Sequence, residues 1–576
     1  MKNNQTKEKL LAEIGRLKKE LKKNKKYGLV WDSEREPEKV VEMCKEKFPV
    51  LKEVKVKEII TDKNKPINLL IEGDNYHTLS VLNYTHKKKI DVIYIDPPYN
   101  TGNKDFIYND HYIDREDSYR HSKWLSFIEK RLRLAKNLLK NDGLIFISIG
   151  EDELAQLKIV CNDIFGEKNY ITNFIWEKTQ HFGRQKVNFY SNVDYILCYA
   201  KQLNNSKIKE LLVERIKEEH EDAPLYNASN PTNTLTFPPK TVTFNISDGE
   251  YTETTDDKYE LLSKAIVKKG KNRNEIILKF KSRWSQKRVE EEVLKGTTFW
   301  IKSSNFAIRA IYGNGKTSND SPKQILFTNA NNEFCAKSRF GQKVGVNEEA
   351  SNELYQMIGA QNIFEYPKPR TLVEYLVSLF FDYYKKTYQR DLTILDFFAG
   401  SGTTGHAILN LNKLDQGNRT FILCTNNEEN ICSDICYPRI RKAINGYKSI
   451  AGLGGNLKYF KTDFVDYKEP TDKNKIRLTE EAIEMLCVKE GTFEEIENRV
   501  GFKIFKNSEH YSGIIFDQLA IKEFKKAISN IRGKFSVYVF SLGDDSFDEE
   551  FEDVKQKIKL SPIPEAILKV YRKIFK

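Results

Sequence analysis

Between Ile67 and Ala200, short apolar runs alternate with longer amphipathic stretches. Ile67–Ile71 runs into Glu72-Gly73-Asp74, Asp91–Ile95 runs into Asp96-Pro97-Pro98, and the runs 144–149 and 195–199 follow. Apolar runs this short, closed by polar or glycine residues and separated by helical stretches such as 122–140, predict buried parallel strands. The predicted class is α/β. Residues 202–362 break the rhythm with Asn-, Thr- and Pro-rich stretches such as 227–240. Alternation returns at 365, with a strand at 393–398, a tight turn at 399–404, a helix at 405–413 and a strand at 420–424. The chain is thereby divided into an N-terminal region (1–60), two α/β segments (61–201 and 363–470), an insert (202–362) and a separate small C-terminal α/β module (471–576). The first 26 residues hold ten Lys/Arg against three Glu, and Leu10, Ile14, Leu17 and Leu21 fall on one helical stripe, which predicts a basic helix with a narrow seam. That seam could serve dimerisation, a phosphate contact or packing on its own domain.

The chain has 576 residues, of which 39% are hydrophobic and 12% aromatic, so a globular chain of several domains is expected. No apolar run approaches the roughly 18 residues of a spanning helix, and the polar start at Met1-Lys2-Asn3-Asn4-Gln5 carries no signal core, so no membrane association and a cytoplasmic location are expected. The eight cysteines form no paired knuckles. Cys424, Cys432 and Cys436 lie close in sequence but lack a fourth ligand nearer than His406, so no metal is expected.

The net charge of +12 favours a polyanionic partner. The surplus concentrates in residues 264–316, with 14 Lys/Arg against four Glu and with Phe280, Trp284, Phe299, Trp300, Phe306 and Tyr312 interleaved. Basic residues beside aromatics point to nucleic acid, with Lys281, Arg283, Trp284, Lys287, Arg288, Arg309 and Lys316 as the candidate contacts. Within this block, Gly313–Thr317 imitates a phosphate loop, but Ala310 stands where that loop needs its first glycine, so a Walker motif is rejected.

Two motifs carry chemistry. The Ala399–Thr404 turn places Gly400 and Gly402 between a strand and a helix, where a cofactor can approach the backbone closely. Asp96-Pro97-Pro98-Tyr99 closes an apolar strand at the end where open α/β sheets bind ligands. Its prolines fix φ, so the Pro97 carbonyl is a rigid acceptor suited to an amino group.

Asp96–Gly102, followed about 300 residues later by Asp396–Thr404, resembles an amino-directed DNA methyltransferase of the β order, with the catalytic motif ahead of the cofactor motif. More closely, the chain is similar to the modification subunits of type III restriction systems. Ile71–Asn75, Leu144–Glu151, Asp194–Leu197, Arg283–Ser285 and Tyr366–Pro369 support the likeness, which spans residues 67–445. It implies a Rossmann-like S-adenosylmethionine-dependent methyltransferase fold with permuted motif order. In that fold, 61–201 is the catalytic half, 202–362 the target-recognition domain and 363–470 the cofactor-binding half; the two halves share one sheet and neither folds alone.

The resemblance also implies roles. Asp96 and the Pro97 carbonyl would accept the two amino hydrogens of a flipped adenine, with Pro98 stiffening the corner and Tyr99 stacking on the base. Asp74, Lys368, Pro369, Asp396, Phe398, Gly400, Gly402 and Glu428 would hold S-adenosylmethionine, with Asn426 as a rival to Glu428 for the ribose. Double-stranded DNA, a homodimer of this chain and a helicase-nuclease restriction subunit are the implied partners. A stand-alone methyltransferase, methylation of cytosine N4, methylation of protein or RNA, and a non-catalytic DNA-binding subunit are the alternatives. Carbon-5 methylation of cytosine needs a cysteine nucleophile, typically after proline, and none of the eight follows one.

Overall fold

The computed structural model describes residues 37–575 apart from 104, 182–190, 204–209, 217–221, 313–316, 333, 361–362, 383–386, 469–470, 544 and 546. The expected N-terminal seam, the 313–316 part of the imitation phosphate loop and Lys316 lie outside the described residues.

Ten strands form the principal sheet: β1 (Lys47–Glu53), β2 (Ile67–Glu72), β3 (Ile90–Ile95), β4 (Leu139–Ile149), β5 (Tyr170–Glu177), β6 (Val193–Ala200), β7 (Ile325–Leu326), β8 (Thr393–Asp396), β9 (Thr420–Thr425) and β10 (Asn456–Asp466). Their spatial order is β1-β10-β2-β9-β8-β3-β4-β6-β5-β7. From β10 to β4 every neighbour is parallel, and β6 then lies antiparallel between β4 and β5. The two α/β segments interleave, because β8 and β9 of the second lie between β2 and β3 of the first.

Seven helices matter to the site: α1 (Asn75–Thr85), α2 (Arg120–Leu138), α3 (Glu151–Phe165), α4 (Asn347–Ile358), α5 (Arg370–Ser378), α6 (Thr403–Asp415) and α7 (Tyr437–Asn445). Strand alternation assigns them to two faces. Ile422 and Cys424 of β9 join the core formed with α1, α2 and α3. Phe421 and Leu423 face α6, where a Cβ at Gly405 would come within 2.9 Å of Leu423 Cδ1. After β3 the chain leads through α2 to β4, and after β8 through α6 to β9, so the path diverges on either side of the β3–β8 pair. Their carboxyl ends form the topological switch point, where sheets of this kind bind ligands.

Two compact units are present, residues Leu212–Pro322 and all the rest. The insert is therefore shorter than the expected 202–362. Residues 323–360, as far as they are described, belong with the principal sheet because β7 pairs with β5, Thr328 Oγ1 donates to Glu177 Oε2 and Trp176 Nε1 donates to the Gly345 carbonyl at 3.0 Å. The N-terminal region also departs from a helical appendage, since its β1 pairs with β10 in the sheet. The C-terminal module adds a five-stranded sheet over residues 494–563, but it is not a separate unit. Leu478, Met485, Leu568 and Tyr571 enter the main core, and the Tyr571 hydroxyl donates to the Pro49 carbonyl.

The Leu212–Pro322 unit holds a seven-stranded and a three-stranded sheet around its own core. Strict alternation governs residues 279–284: Lys279, Lys281 and Arg283 are exposed, whereas Phe280, Ser282 and Trp284 are buried.

Candidate active site

The corner after β3 begins with Asp96. Its Oδ2 accepts from Lys368 Nζ at 2.9 Å, and its buried Oδ1 has no hydrogen-bond partner among the described residues. Burial raises the Asp96 pKa; Lys368 opposes this, and Asp194 adds to the rise. The Pro98 carbonyl is taken by Trp124 Nε1 at 2.8 Å, which fixes the corner to α2. Tyr99 donates to Asp194 Oδ2 at 3.2 Å and lies with its ring centre 4.9 Å from Lys368 Nζ. At the end of β4, Gly150 makes room for this ring, since a Cβ there would come 2.8 Å from Tyr99 Cδ2. Asn100 follows with φ 55, a left-handed conformation that asparagine tolerates better than most residues, and donates to buried Glu153 at 2.5 Å.

The turn after β8 lies beside this corner, since β3 and β8 pair in register with Val92 against Ile394 and Ile93 against Leu395. Asp396 is consumed inside the turn: Oδ1 accepts from Phe398 N at 3.0 Å and Oδ2 from Thr404 Oγ1 at 2.5 Å. Burial pushes its pKa up to about 7. Gly402 has φ 81 and directly precedes α6, so the conformation favours glycine, and a Cβ there would stand a tight 3.1 Å from Cys436 Sγ. The fully buried Arg439 of α7 braces the turn through Ser401 Oγ at 3.1 Å and Thr403 Oγ1 at 2.7 Å.

At the neighbouring strand ends, Asp74 caps α1 by accepting from Tyr76 N at 2.7 Å, and its other oxygen lies 3.6 Å from Arg131. Glu428 is exposed just beyond β9. A glycine turn at a helix N-terminus, with two carboxylates at adjacent strand ends, suits a ligand carrying ribose hydroxyls and an amino-acid group.

A sequence profile of the DNA methylase family matches residues 90–435, more than half of the chain. The chain belongs to the DNA methylase family. It is 32% identical over 380 residues to the type III restriction-modification enzyme StyLTI Mod subunit of Salmonella typhimurium, covering 62% of this chain and 52% of that protein. The EcoPI Mod subunit of Escherichia phage P1 is 26% identical over 494 residues, 79% of this chain and 67% of that one. The type II methyltransferase M.KpnI of Klebsiella pneumoniae is 30% identical over 410 residues, 69% of this chain and 88% of that enzyme. The chain thus spans about half the length of the Salmonella relative.

In this chain the structure brings Asp96, Pro97, Pro98 and Tyr99 to one strand end, with Lys368, Pro369, Asp396, Phe398, Gly400 and Gly402 alongside. Asp396 shapes the loop through one hydrogen bond at each carboxylate oxygen. One expectation is corrected. Trp284 is 5% exposed and packs in the insert core, with Arg288 over its ring at 4.9 Å, so it cannot lie on a DNA surface. Lys281, Arg283, Lys287 and Arg288 are exposed, and Arg309 is half-buried.

The residue pattern gave no role to Asp194, which engages the Tyr99 hydroxyl and is itself held by Lys178 at 2.8 Å, nor to Arg439. Asp194 opens a run that supports the family likeness, and that was the available signal. Arg439 sits in a helix with no motif around it.

Tyr99 carries a first prediction. Tyr99→Phe removes the hydroxyl that donates to Asp194 and also interacts with Asp96, while leaving Asp194 paired with Lys178, so kcat/KM should fall by about tenfold. Tyr99→Ala removes the ring expected to stack on the base, which should cost about 1–3 kcal/mol, or roughly five- to 150-fold in kcat/KM. Steady-state methyl transfer to DNA by the two variants checks both values.

Proposed function

We propose that this chain is the modification subunit of a type III restriction-modification system and methylates the N6 amino group of adenine in duplex DNA after base flipping. The observation that carries the proposal is the Asp96 carboxylate, with one oxygen held and one left for a donor, at the strand end beside the glycine turn. The Mod names of the Salmonella and phage relatives support the type III assignment.

The adenine amino lone pair is delocalised into the ring, so the protein must loosen that conjugation while the reacting atoms are aligned. Asp96 Oδ1 and the Pro97 carbonyl accept one amino hydrogen each, which favours a pyramidal nitrogen. As positive charge develops on that nitrogen, the ionised Asp96 stabilises it. Tyr99 holds the extrahelical base by its face. Gly400, Gly402 and Phe398, with Asp74 and Glu428 at the strand ends, would hold S-adenosylmethionine, which supplies an electrophilic methyl group when bound.

The exposed Lys281, Arg283, Lys287 and Arg288 are proposed to contact the DNA backbone, and a helicase-nuclease subunit and a second copy of this chain are the proposed protein partners. The test offers labelled S-adenosylmethionine with unmethylated duplex DNA, RNA or protein, then hydrolyses the labelled product to nucleosides. N6-methyladenine is expected. N4-methylcytosine would overturn the base assignment, and label in RNA or protein would overturn the substrate class. Gel filtration with and without residues 1–26 tests whether that segment mediates dimerisation.

A further inference from the structure

The family likeness sends Lys368 to the cofactor, but the geometry sends its side chain elsewhere. Its side chain is 7% exposed, and its ammonium donates to Asp96 Oδ2 at 2.9 Å and stands 4.9 Å from the Tyr99 ring centre. A lysine buried this deeply has to be paired, and Asp96 is its partner. Its backbone meanwhile joins the other half of the site, because the Lys368 carbonyl accepts from Thr403 Oγ1 at 3.2 Å in the glycine turn. One residue therefore touches both the corner after β3 and the turn after β8.

We propose that Lys368 is a positioning residue: it holds Asp96 by Oδ2 so that Oδ1 alone is presented to the target amino group, and it ties that carboxylate to the cofactor turn. The proposal rests on the methyl-transfer function given above. The charge balance around Asp96 shows why a cation is needed. Asp194 of β6 adds to the negative field, Asp396 of β8 is itself pushed toward its neutral form by burial, Tyr94 and Tyr99 supply only hydroxyls, and Lys178 is bonded to Asp194. With Lys368 removed, Asp96 and Asp194 are left, among the described residues, with a lysine that is already bonded to Asp194, and Asp96 gains a proton more readily. A protonated Asp96 accepts poorly and no longer stabilises a developing positive charge.

The experiment compares wild type, Lys368→Met and Lys368→Arg in methyl transfer to unmethylated genomic DNA across pH, with S-adenosylmethionine affinity measured separately by calorimetry. The expected result is a loss of about a hundredfold in kcat for Lys368→Met, with cofactor Kd changed by less than about threefold. The acid limb of the residual activity should move to higher pH, and Lys368→Arg should recover part of the loss. A tenfold or greater weakening of cofactor binding with an unmoved acid limb would make Lys368 a cofactor ligand and overturn the proposal, as would wild-type turnover in Lys368→Met. A thermal-unfolding cycle of Lys368→Met with Asp96→Asn reads the same pair without turnover. Non-additive losses are expected, and additive losses would remove the coupling even if the wild-type chain proved to methylate something other than DNA.

Discussion

Replacing Asp96 by Asn is expected to lower kcat by about 10³-fold while S-adenosylmethionine still binds measurably. The amide keeps the size of the side chain and can still accept from Lys368 through its oxygen, but it carries no charge and points N–H groups where Oδ1 stood. Asp96→Ala should be equally inactive for a second reason. It leaves the Lys368 ammonium buried without its carboxylate, a loss of about 3 kcal/mol or more in stability. The pair of variants therefore separates chemistry from folding: both lose turnover, and Asp96→Ala also melts earlier in a thermal scan. The wild-type pH profile follows from the same carboxylate. Its pKa is raised by burial despite Lys368, and the ionised form is the active one, so activity should fall as pH drops through a value above the ordinary carboxylate range. Wild-type activity that stays level down to pH 4 would contradict this.

Much of this site is legible in the linear chain because it is built on buried parallel strands. Such strands are apolar throughout and stop where the ligand crevice begins, so β3 and β8 announce both themselves and the residues that follow them. Edge strands give no such signal. Lys47–Glu53 is charged at both ends and holds Pro49, a composition that suits an edge strand as well as a loop and does not set it apart from the basic helical region expected over 1–60. In β10, Lys458 interrupts the apolar pattern, yet it is 5% exposed because Glu53 and Glu58 neutralise it. Trp284 shows the opposite failure. Charge density beside aromatics suggests a binding surface, while the period of two within 279–284 already separates the outward lysine and arginine side chains from the inward rings. The direction of the Lys368 side chain has no linear signature, since a four-carbon stem can reach either the cofactor or Asp96 from the same backbone position.

Arg439→Met should produce the largest loss of stability among single changes around the turn, about 3–5 kcal/mol. The guanidinium is fully buried and joins Glu353 at 2.9 Å to Ser401 and Thr403. Glu353 also accepts from Arg370 Nε at 2.9 Å and lies 3.9 Å from His406 Nδ1, so one carboxylate gathers α4, α5, α6 and α7 behind the turn. Burial works against its ionisation, but Arg439, then His406 and Arg370, bring its pKa down to about 2. The sign of the pH effect follows from that depression. The stabilisation is complete above the ordinary glutamate value near 4.5 and disappears as pH falls toward 2. Wild type and Arg439→Met should therefore differ most in denaturant midpoint above pH 5 and converge as the medium is acidified. Because Ser401 and Thr403 lose their brace at the same time, cofactor Kd should rise by about tenfold or more. This is the reverse of the pattern expected for Lys368→Met, where turnover falls and cofactor binding holds. If Arg439→Met kept wild-type cofactor affinity, the buried network would serve stability alone and the glycine turn would hold its shape without it.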